Sequence, residues 1–265
     1  MMSDLPFAKK SLGQHWLTDA TTLAAICDAA DVTKDDTVLE IGPGLGTLTE
    51  LLVERAGQVT AIEFDDKLAA ELPARVKADN LEVVSQDILR FDFTSLPPDY
   101  KIVANIPYYL TSNLIRVISE TTNQPSVAVL LVQKEVAERV TAAPGAMSVL
   151  SVTAQFYWQV GVGFVVPAEL FTPPPKVDSQ VLILQHREVL LFPDANPKDF
   201  FRLVKAGFSE RRKKLRSSLS NGLHISKPAV EELLAQAGID PNLRAQALSL
   251  DDWHNLYKIV SITFH

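Results

Sequence analysis

Two hydrophobic rhythms alternate along the chain. Short apolar runs at residues 37–41, 59–63, 81–85, 101–104 and 127–132 have the length of buried strands. Between them lie stretches whose apolar positions fall at helical spacing: 20–30, capped by Thr18 or Asp19; 47–55, with Leu48, Leu51 and Leu52 aligned; 111–120, capped by Thr111 or Ser112; and 134–140. Strands alternating with helices predict an open α/β sheet, in which ligands gather at the carboxyl ends of the strands. Residues 149–162 read as a further strand, although their first part also suits a helix, and 181–185 as another.

Beyond that last strand the rhythm changes. Residues 187–197, with Pro193 and Pro197, read as a linker. The spacing is then helical throughout, over 198–219, over 227–237 closed by Gly238, and over 250–260 begun at Ser249. This divides the chain into a sheet domain over residues 1–187 and a small helical domain over 188–265. Its 265 residues suffice for one large core and a smaller second one.

Composition excludes several classes. Hydrophobic residues make up 47% and mean hydropathy is +0.09, as in a globular protein rather than a disordered or membrane-spanning one. No apolar run of bilayer length and no secretory leader pattern over residues 1–10 are found, so no membrane partner and a cytoplasmic location are expected. Cys27 is the single cysteine, which excludes an intrachain disulfide, and it reads as core. The five histidines show no ligand spacing, so no metal is expected. A net charge of -7 runs against a nucleic-acid partner. The cations are nevertheless unevenly spread: Arg211, Arg212, Lys213, Lys214 and Arg216 are packed together with only Glu210 against them. Such a run is ordinarily the solvated face of its helix. Here Phe200, Phe201, Leu203, Val204 and Phe208 supply a buried face, leaving the cations for phosphate oxygens.

The candidate chemistry starts at the first strand, which passes directly into Gly42-Pro43-Gly44-Leu45-Gly46 and a helix. Such a turn lets backbone approach a ligand closely, and Glu63 ends the next strand at about the 20-residue separation of a ribose partner. A dinucleotide is the competing ligand. Thr47, however, stands where that fingerprint wants its third glycine, and Pro43 is ill suited to offering amides to a pyrophosphate. A ligand with ribose and adenine but no phosphate fits better, and S-adenosylmethionine is the common one. Glu40, Asp65 and Asp87 add carboxylates that favour a cationic sulfonium. Asp87 reads equally as the N-cap of the turn at 88–89.

The second feature is Asn105-Ile106-Pro107-Tyr108, where Pro107 stops a strand by removing a ladder donor. The exocyclic amine of adenine is a poor nucleophile because its lone pair is delocalised into the ring. Two acceptors, the Asn105 side-chain oxygen and the Ile106 carbonyl, would draw it toward tetrahedral geometry while Tyr108 stacks on the base, a contact of about 1–3 kcal/mol. The plainer reading is a turn that Asn105 caps. The third feature is Phe171-Thr172-Pro173-Pro174-Pro175-Lys176-Val177-Asp178-Ser179, a stiff extended loop expected to project Phe171 as a second aromatic face for a flipped base. The alternative is that Phe171 is a hydrophobic plug beneath that loop.

Residues 9–17, 40–46, 105–108 and 171–181, in this order, closely resemble the ribosomal RNA adenine dimethyltransferase family of the small-subunit type. The resemblance covers nearly the whole chain. It implies a class I, Rossmann-like methyltransferase domain with a seven-stranded, mostly parallel sheet ending in an antiparallel hairpin, followed by a small helical domain that binds RNA. It also implies transfer of two methyl groups from S-adenosylmethionine to N6 of each of two adjacent adenines in the hairpin near the 3′ end of small-subunit ribosomal RNA. By the same resemblance His15, Leu17, Gly42, Glu63, Asp87 and Asn105 contact the cofactor, and Asn105, Tyr108 and Phe171 hold the target base. Partners would be small-subunit ribosomal RNA or the immature particle, met by a monomer. His15 and Trp16 depart from the family's commonest text, Asn and Phe. Rival readings are the large-subunit adenine methyltransferase of macrolide resistance, an assembly factor with a vestigial site, and a DNA adenine methyltransferase, for which no duplex-reading element is seen.

Overall fold

The computed structural model describes residues 13–264. Lys9 and Lys10 of the opening loop lie outside the described residues. The first part of the chain contains β1 (Trp16–Leu17), α1 (Ala20–Ala29), β2 (Thr37–Ile41), α2 (Thr47–Arg55), β3 (Gln58–Glu63), α3 (Asp66–Val76) and β4 (Leu81–Ser85). There follow β5 (Lys101–Asn105), α4 (Thr111–Glu120), β6 (Val127–Gln133), α5 (Lys134–Val140), α6 (Val149–Tyr157), β7 (Trp158–Val166), β8 (Phe171–Thr172) and β9 (Ser179–His186). The remainder is helical: α7 (Pro197–Phe208), α8 (Leu215–Leu223), α9 (Lys227–Gln236) and α10 (Leu250–Phe264).

Seven strands form one sheet in the order β4-β3-β2-β5-β6-β9-β7. Neighbours from β4 to β6 run parallel, and β9 lies antiparallel to β6. From β2 the chain walks to one edge through β3 and β4, then returns to the other side of β2 for β5 and β6. That reversal opens a crevice at the carboxyl ends of β2 and β5, the place where such sheets bind ligands. The strands read as continuous apolar runs because both faces are covered: β6 is buried from Val127 to Val132. One core cluster packs Leu23, Ile26 and Cys27 of α1 and Leu48 and Leu52 of α2 on Val38, Val59 and Val103 of the strands. Within it burial pushes the Cys27 thiol up to about 11.

Two compact units are present, one comprising the chain up to Glu138 with Gln159–His186, the other Arg139–Trp158 with Arg187–His265. The aromatic side chains explain why α6 belongs to the second unit. Phe156 lies 4.9 Å from Phe200 and 5.2 Å from Phe201, centroid to centroid. The strand expected over 149–162 is therefore a helix up to Tyr157 and a strand from Trp158. Ser148 and Ser151 close a capping box at its start, which fixes the helical entry. Burial on nearly every side removes the amphipathic pattern that would have marked it.

The helix expected over 198–219 is also two helices. Residues 209–214 offer nothing apolar to bury, and the chain turns there, with Lys213 N–H donating to the Glu210 carbonyl at 2.9 Å, before α8 begins at the fully buried Leu215. The helix α3 drew no expectation from the sequence, and Pro73 lies inside it. Its buried Leu68, Ala69 and Leu72 hold it at helical spacing all the same. No helix among the described residues is long and apolar enough to cross a membrane.

Gly57, at the entry to β3, has the Lys34 carbonyl oxygen 2.4 Å from where a Cβ would stand, whereas a Cβ on Gly161 in β7 would meet nothing within 4 Å. Gly57→Ala should destabilise by about 1–3 kcal/mol, while Gly161→Ala should be neutral or slightly stabilising. Urea unfolding of the two variants checks the contrast.

Candidate active site

The carboxyl end of β2 delivers Glu40 and Ile41 into the turn Gly42 to Gly46. Gly44 has φ +58 and the Trp16 ring 2.5 Å from the position of its absent Cβ, so only glycine fits there. Its N–H donates to Glu63 Oε2 at 3.1 Å, and the Asp65 N–H donates to Glu63 Oε1 at 2.9 Å. The acid that ends β3 is thus held by two amides. Burial raises the Glu63 carboxyl above its ordinary range while those amides oppose the rise. Glu40 is 1% exposed, and burial, reinforced by the charge of Glu63, pushes it up to about 8. Glu40 Oε2 and Thr49 Oγ1 make no hydrogen bond of good geometry, although the Thr49 hydroxyl is near enough to hold the rise down. A buried carboxylate oxygen without a partner is costly unless a cation or donor completes it.

A short strap, residues 13–17, runs along this crevice. Its β1 pairs antiparallel with β8, Trp16 opposite Thr172 and Leu17 opposite Phe171. Thr47 Oγ1 donates to the Leu17 carbonyl at 2.8 Å, and Asn105 Nδ2 to the His15 carbonyl at 3.4 Å. His15 Nδ1 lies 2.7 Å from the Pro173 carbonyl, and its ring stacks on Tyr108 with centroids 5.7 Å apart and planes at 24°. The hydroxyl at the place of the third fingerprint glycine therefore has a use, which is to tie down the strap.

Asn105 ends β5 beside Leu131 of β6. With its Nδ2 spent on His15, its Oδ1 makes no hydrogen bond among the described residues, and no backbone amide takes the Ile106 carbonyl. Asn105 and Ile106 both line a cavity of about 310 Å³. His15, Leu17, Gly42, Glu63, Asp87, Asn105 and Tyr108 line the same cavity, as does Glu40. Asp87 also caps the turn at Ile88–Arg90, its Oδ1 accepting from Leu89 N–H at 3.0 Å, which is the capping reading of that residue.

Phe171 requires a correction. It is 2% exposed and packs in the core cluster with Leu17, Leu23 and Val166, and it does not line the cavity. Its pairing with Leu17 turns it inward, so the expected second aromatic face is a plug in this structure. The ring that accompanies Tyr108 is His15. Sequence reasoning missed two exposed aromatics on the cavity, Phe64 at 59% and Tyr109 at 56%. Their signal was present: each directly follows a residue already singled out.

The basic segment is likewise divided, three cations from two. Arg211, Arg212 and Lys213 are exposed on the turn between α7 and α8. Lys214 Nζ donates to Asn242 Oδ1 at 2.9 Å, and Arg216 pairs with Glu231 at 2.7 Å, so these two cations are engaged within their own unit. Among the described residues no group of three or more His, Cys, Asp or Glu could hold a metal.

A mostly parallel sheet with a glycine turn and two buried acids at its switch point is the frame of a nucleoside-binding site, and its solved structural neighbours make it the fold of an S-adenosylmethionine-dependent methyltransferase. The profile of the ribosomal RNA adenine dimethylase family matches residues 7–261, and the chain belongs to that family. It is 43% identical over 253 residues to the ribosomal RNA small subunit methyltransferase A of Dehalococcoides mccartyi strain CBDB1, covering 94% of this chain and 87% of that one. Among solved structures it resembles a dimethyladenosine transferase from Plasmodium falciparum, with a TM-score of 0.77 and 27% identity over 91% of this chain and 96% of that one. It also resembles the 23S rRNA methyltransferase ErmE, with a TM-score of 0.72 and 29% identity over 93% and 99%. The methyl donor is S-adenosylmethionine, and a cavity lined by the carboxyl groups of Glu40 and Glu63 suits a cationic ligand that carries a ribose.

Glu40 should leave a mark on stability. Its carboxyl rises from 4.5 to about 8 on folding, so the folded chain keeps a proton that the unfolded chain releases between those values. Its contribution is fully present below the lower value and is lost as pH rises through the upper. Glu40→Gln should therefore raise the melting temperature more near pH 8 than near pH 5. An equal gain at both, read by thermal unfolding without cofactor, would show that Glu40 does not titrate in this window.

Proposed function

We propose that the chain dimethylates N6 of two adjacent adenines in the 3′-terminal hairpin of small-subunit ribosomal RNA, acting as a monomer on the immature particle in the cytoplasm. The observation that carries the chemistry is that Asn105 and Ile106, whose Oδ1 and carbonyl oxygens take no hydrogen bond among the described residues, line the cavity that also holds the glycine turn. Choice of the small-subunit substrate over the large-subunit one rests on likeness to small-subunit enzymes at 43% identity, together with the Phe171 to Ser179 motif.

S-adenosylmethionine supplies an electrophilic methyl group on a sulfonium. The protein's part is positioning and polarisation. Glu63, held by the Gly44 and Asp65 amides, takes the ribose hydroxyls, while Glu40 answers positive charge; His15, Leu17, Gly42 and Asp87 complete the walls. Asn105 and Ile106 accept the two amine hydrogens and draw the nitrogen lone pair out of conjugation, with Tyr108 as stacking face. No strong base is required, because the amine loses its proton after the new N–C bond has lowered its pKa. One N–H then remains; it takes one of the two acceptors, and slack beside the other admits the new methyl so that the base can turn for a second transfer.

The three free cations, Arg211, Arg212 and Lys213, face phosphate oxygens, whereas Lys214 and Arg216 shape the turn that carries them.

Asn105→Ala should lower turnover on RNA by about 10²–10³-fold with a much smaller loss of cofactor affinity; equal losses would make Asn105 a cofactor contact only. Methyl label on any atom but adenine N6, read by mass spectrometry of ribonuclease fragments, would remove the assignment. Replacing Arg211, Arg212 and Lys213 together by alanine should flatten the salt dependence of RNA binding by about 2 in logarithmic slope, since each single-strand phosphate contact contributes about 0.7. Arg216→Ala should change that slope little.

A further inference from the structure

Ser179 is the first residue of β9, fixed opposite Gln133 of β6 and 0% exposed. Just before it the Asp178 carbonyl accepts from Lys134 N–H at 3.0 Å, which pins the entry of the strand. A hydroxyl so deeply buried needs a partner. Its partner is the Tyr108 hydroxyl, at 2.9 Å. The bond reaches from a fixed sheet position to the far tip of a ring that lines the cavity.

We infer that Ser179 is a positioning residue for methyl transfer, holding the Tyr108 ring in the attitude that a stacked base requires. The inference rests on the reading of Tyr108 as stacking face. The geometry is simple. A tyrosine side chain turns about two bonds, and its phenol oxygen lies on the axis of the second. Tethering that oxygen fixes where the ring axis points but leaves rotation about the axis free. The stack with His15, planes at 24°, restrains that remaining rotation. The two contacts together define the ring completely, one from β9 and one from the strap. Burial that lifts the Tyr108 phenol above its ordinary range keeps it protonated and able to donate to Ser179.

The consequence is that the antiparallel β6/β9 pairing sets the attitude of a side chain at the end of β5. A ring loosened by loss of its tether still stacks, but samples orientations in which the amine and the methyl donor are out of line. Misplacement on this scale costs rate in the chemical step rather than cofactor affinity. The half-modified base also has more opportunity to leave between transfers.

The test compares Ser179→Ala, Tyr108→Phe, the double variant and Tyr108→Ala, each in full-length protein, in single turnovers on unmethylated small-subunit particles with saturating S-adenosylmethionine. Each single tether variant should lose about tenfold in rate, and the double variant no more than either alone, the non-additivity of a shared interaction. The fraction of N6-monomethyladenine among the products should rise in all three, with cofactor affinity unchanged within about twofold. Melting temperature supplies the readout that a merely structural bond would not pass. Tyr108→Phe strands the buried Ser179 hydroxyl and Ser179→Ala the half-buried Tyr108 hydroxyl, so both should melt lower, the first by more, whereas the double variant strands neither and should melt near the parent.

A double variant whose rate recovers along with its stability would overturn the inference, as would Ser179→Ala with parental rate and product ratio. Tyr108→Ala separates the two layers. A loss of about 100-fold is expected when the stacking ring itself is removed. Parental activity in Tyr108→Ala would overturn the reading of Tyr108 as stacking face. Impaired Tyr108→Ala beside normal Ser179→Ala would overturn the tether alone.

Discussion

Strands β2 and β5 lie side by side and parallel, yet the chain leaves them toward opposite edges of the sheet. No helix can cover the point where the two directions part, and the cavity follows from that. Glu40 and the glycine turn come from one strand end, Asn105 and Ile106 from the other. Donor chemistry and acceptor chemistry meet because two neighbouring strands stop at the same level.

What the sheet leaves open, charge and sterics then specialise. By itself burial raises the Glu40 carboxyl to about 8, so a cation that draws its proton off restores what burial withholds. The turn amides fix Glu63. Trp16 fills the space beside Gly44, which leaves this turn with no room for a side chain at that position. The family's donor, cationic and free of phosphate, is the ligand that such an arrangement favours.

Much of this was legible in the sequence where a rule acts locally. Apolar runs marked β5 and β6, which are covered on both faces, while β4 at the sheet edge is only part-buried and was marked by its β-branched residues. The strand-stopping proline marked Asn105 and Ile106 as strand-end acceptors. Legibility failed where orientation depends on partners far along the chain. Whether Phe171 points out or in is decided by its pairing with Leu17, 154 positions away in sequence by subtraction of the paired numbers. The helix α6 lacked an amphipathic face because the aromatic cluster surrounds it. The basic stretch looked helical by composition, but a helix needs an apolar stripe to dock, and residues 209–214 have none. Spacing also could not divide the free cations from those engaged with Asn242 and Glu231.

The strap has a mechanical implication. It is bonded to the start of α2 through Thr47, to the end of β5 through Asn105, and to the proline loop through both β8 and Pro173. Held at these points, the strap ties Leu17, beside the glycine-turn helix, to His15 and so to the Tyr108 stack. Replacing spent donor while a singly methylated adenine waits therefore asks one small piece of backbone to serve two tenants in turn.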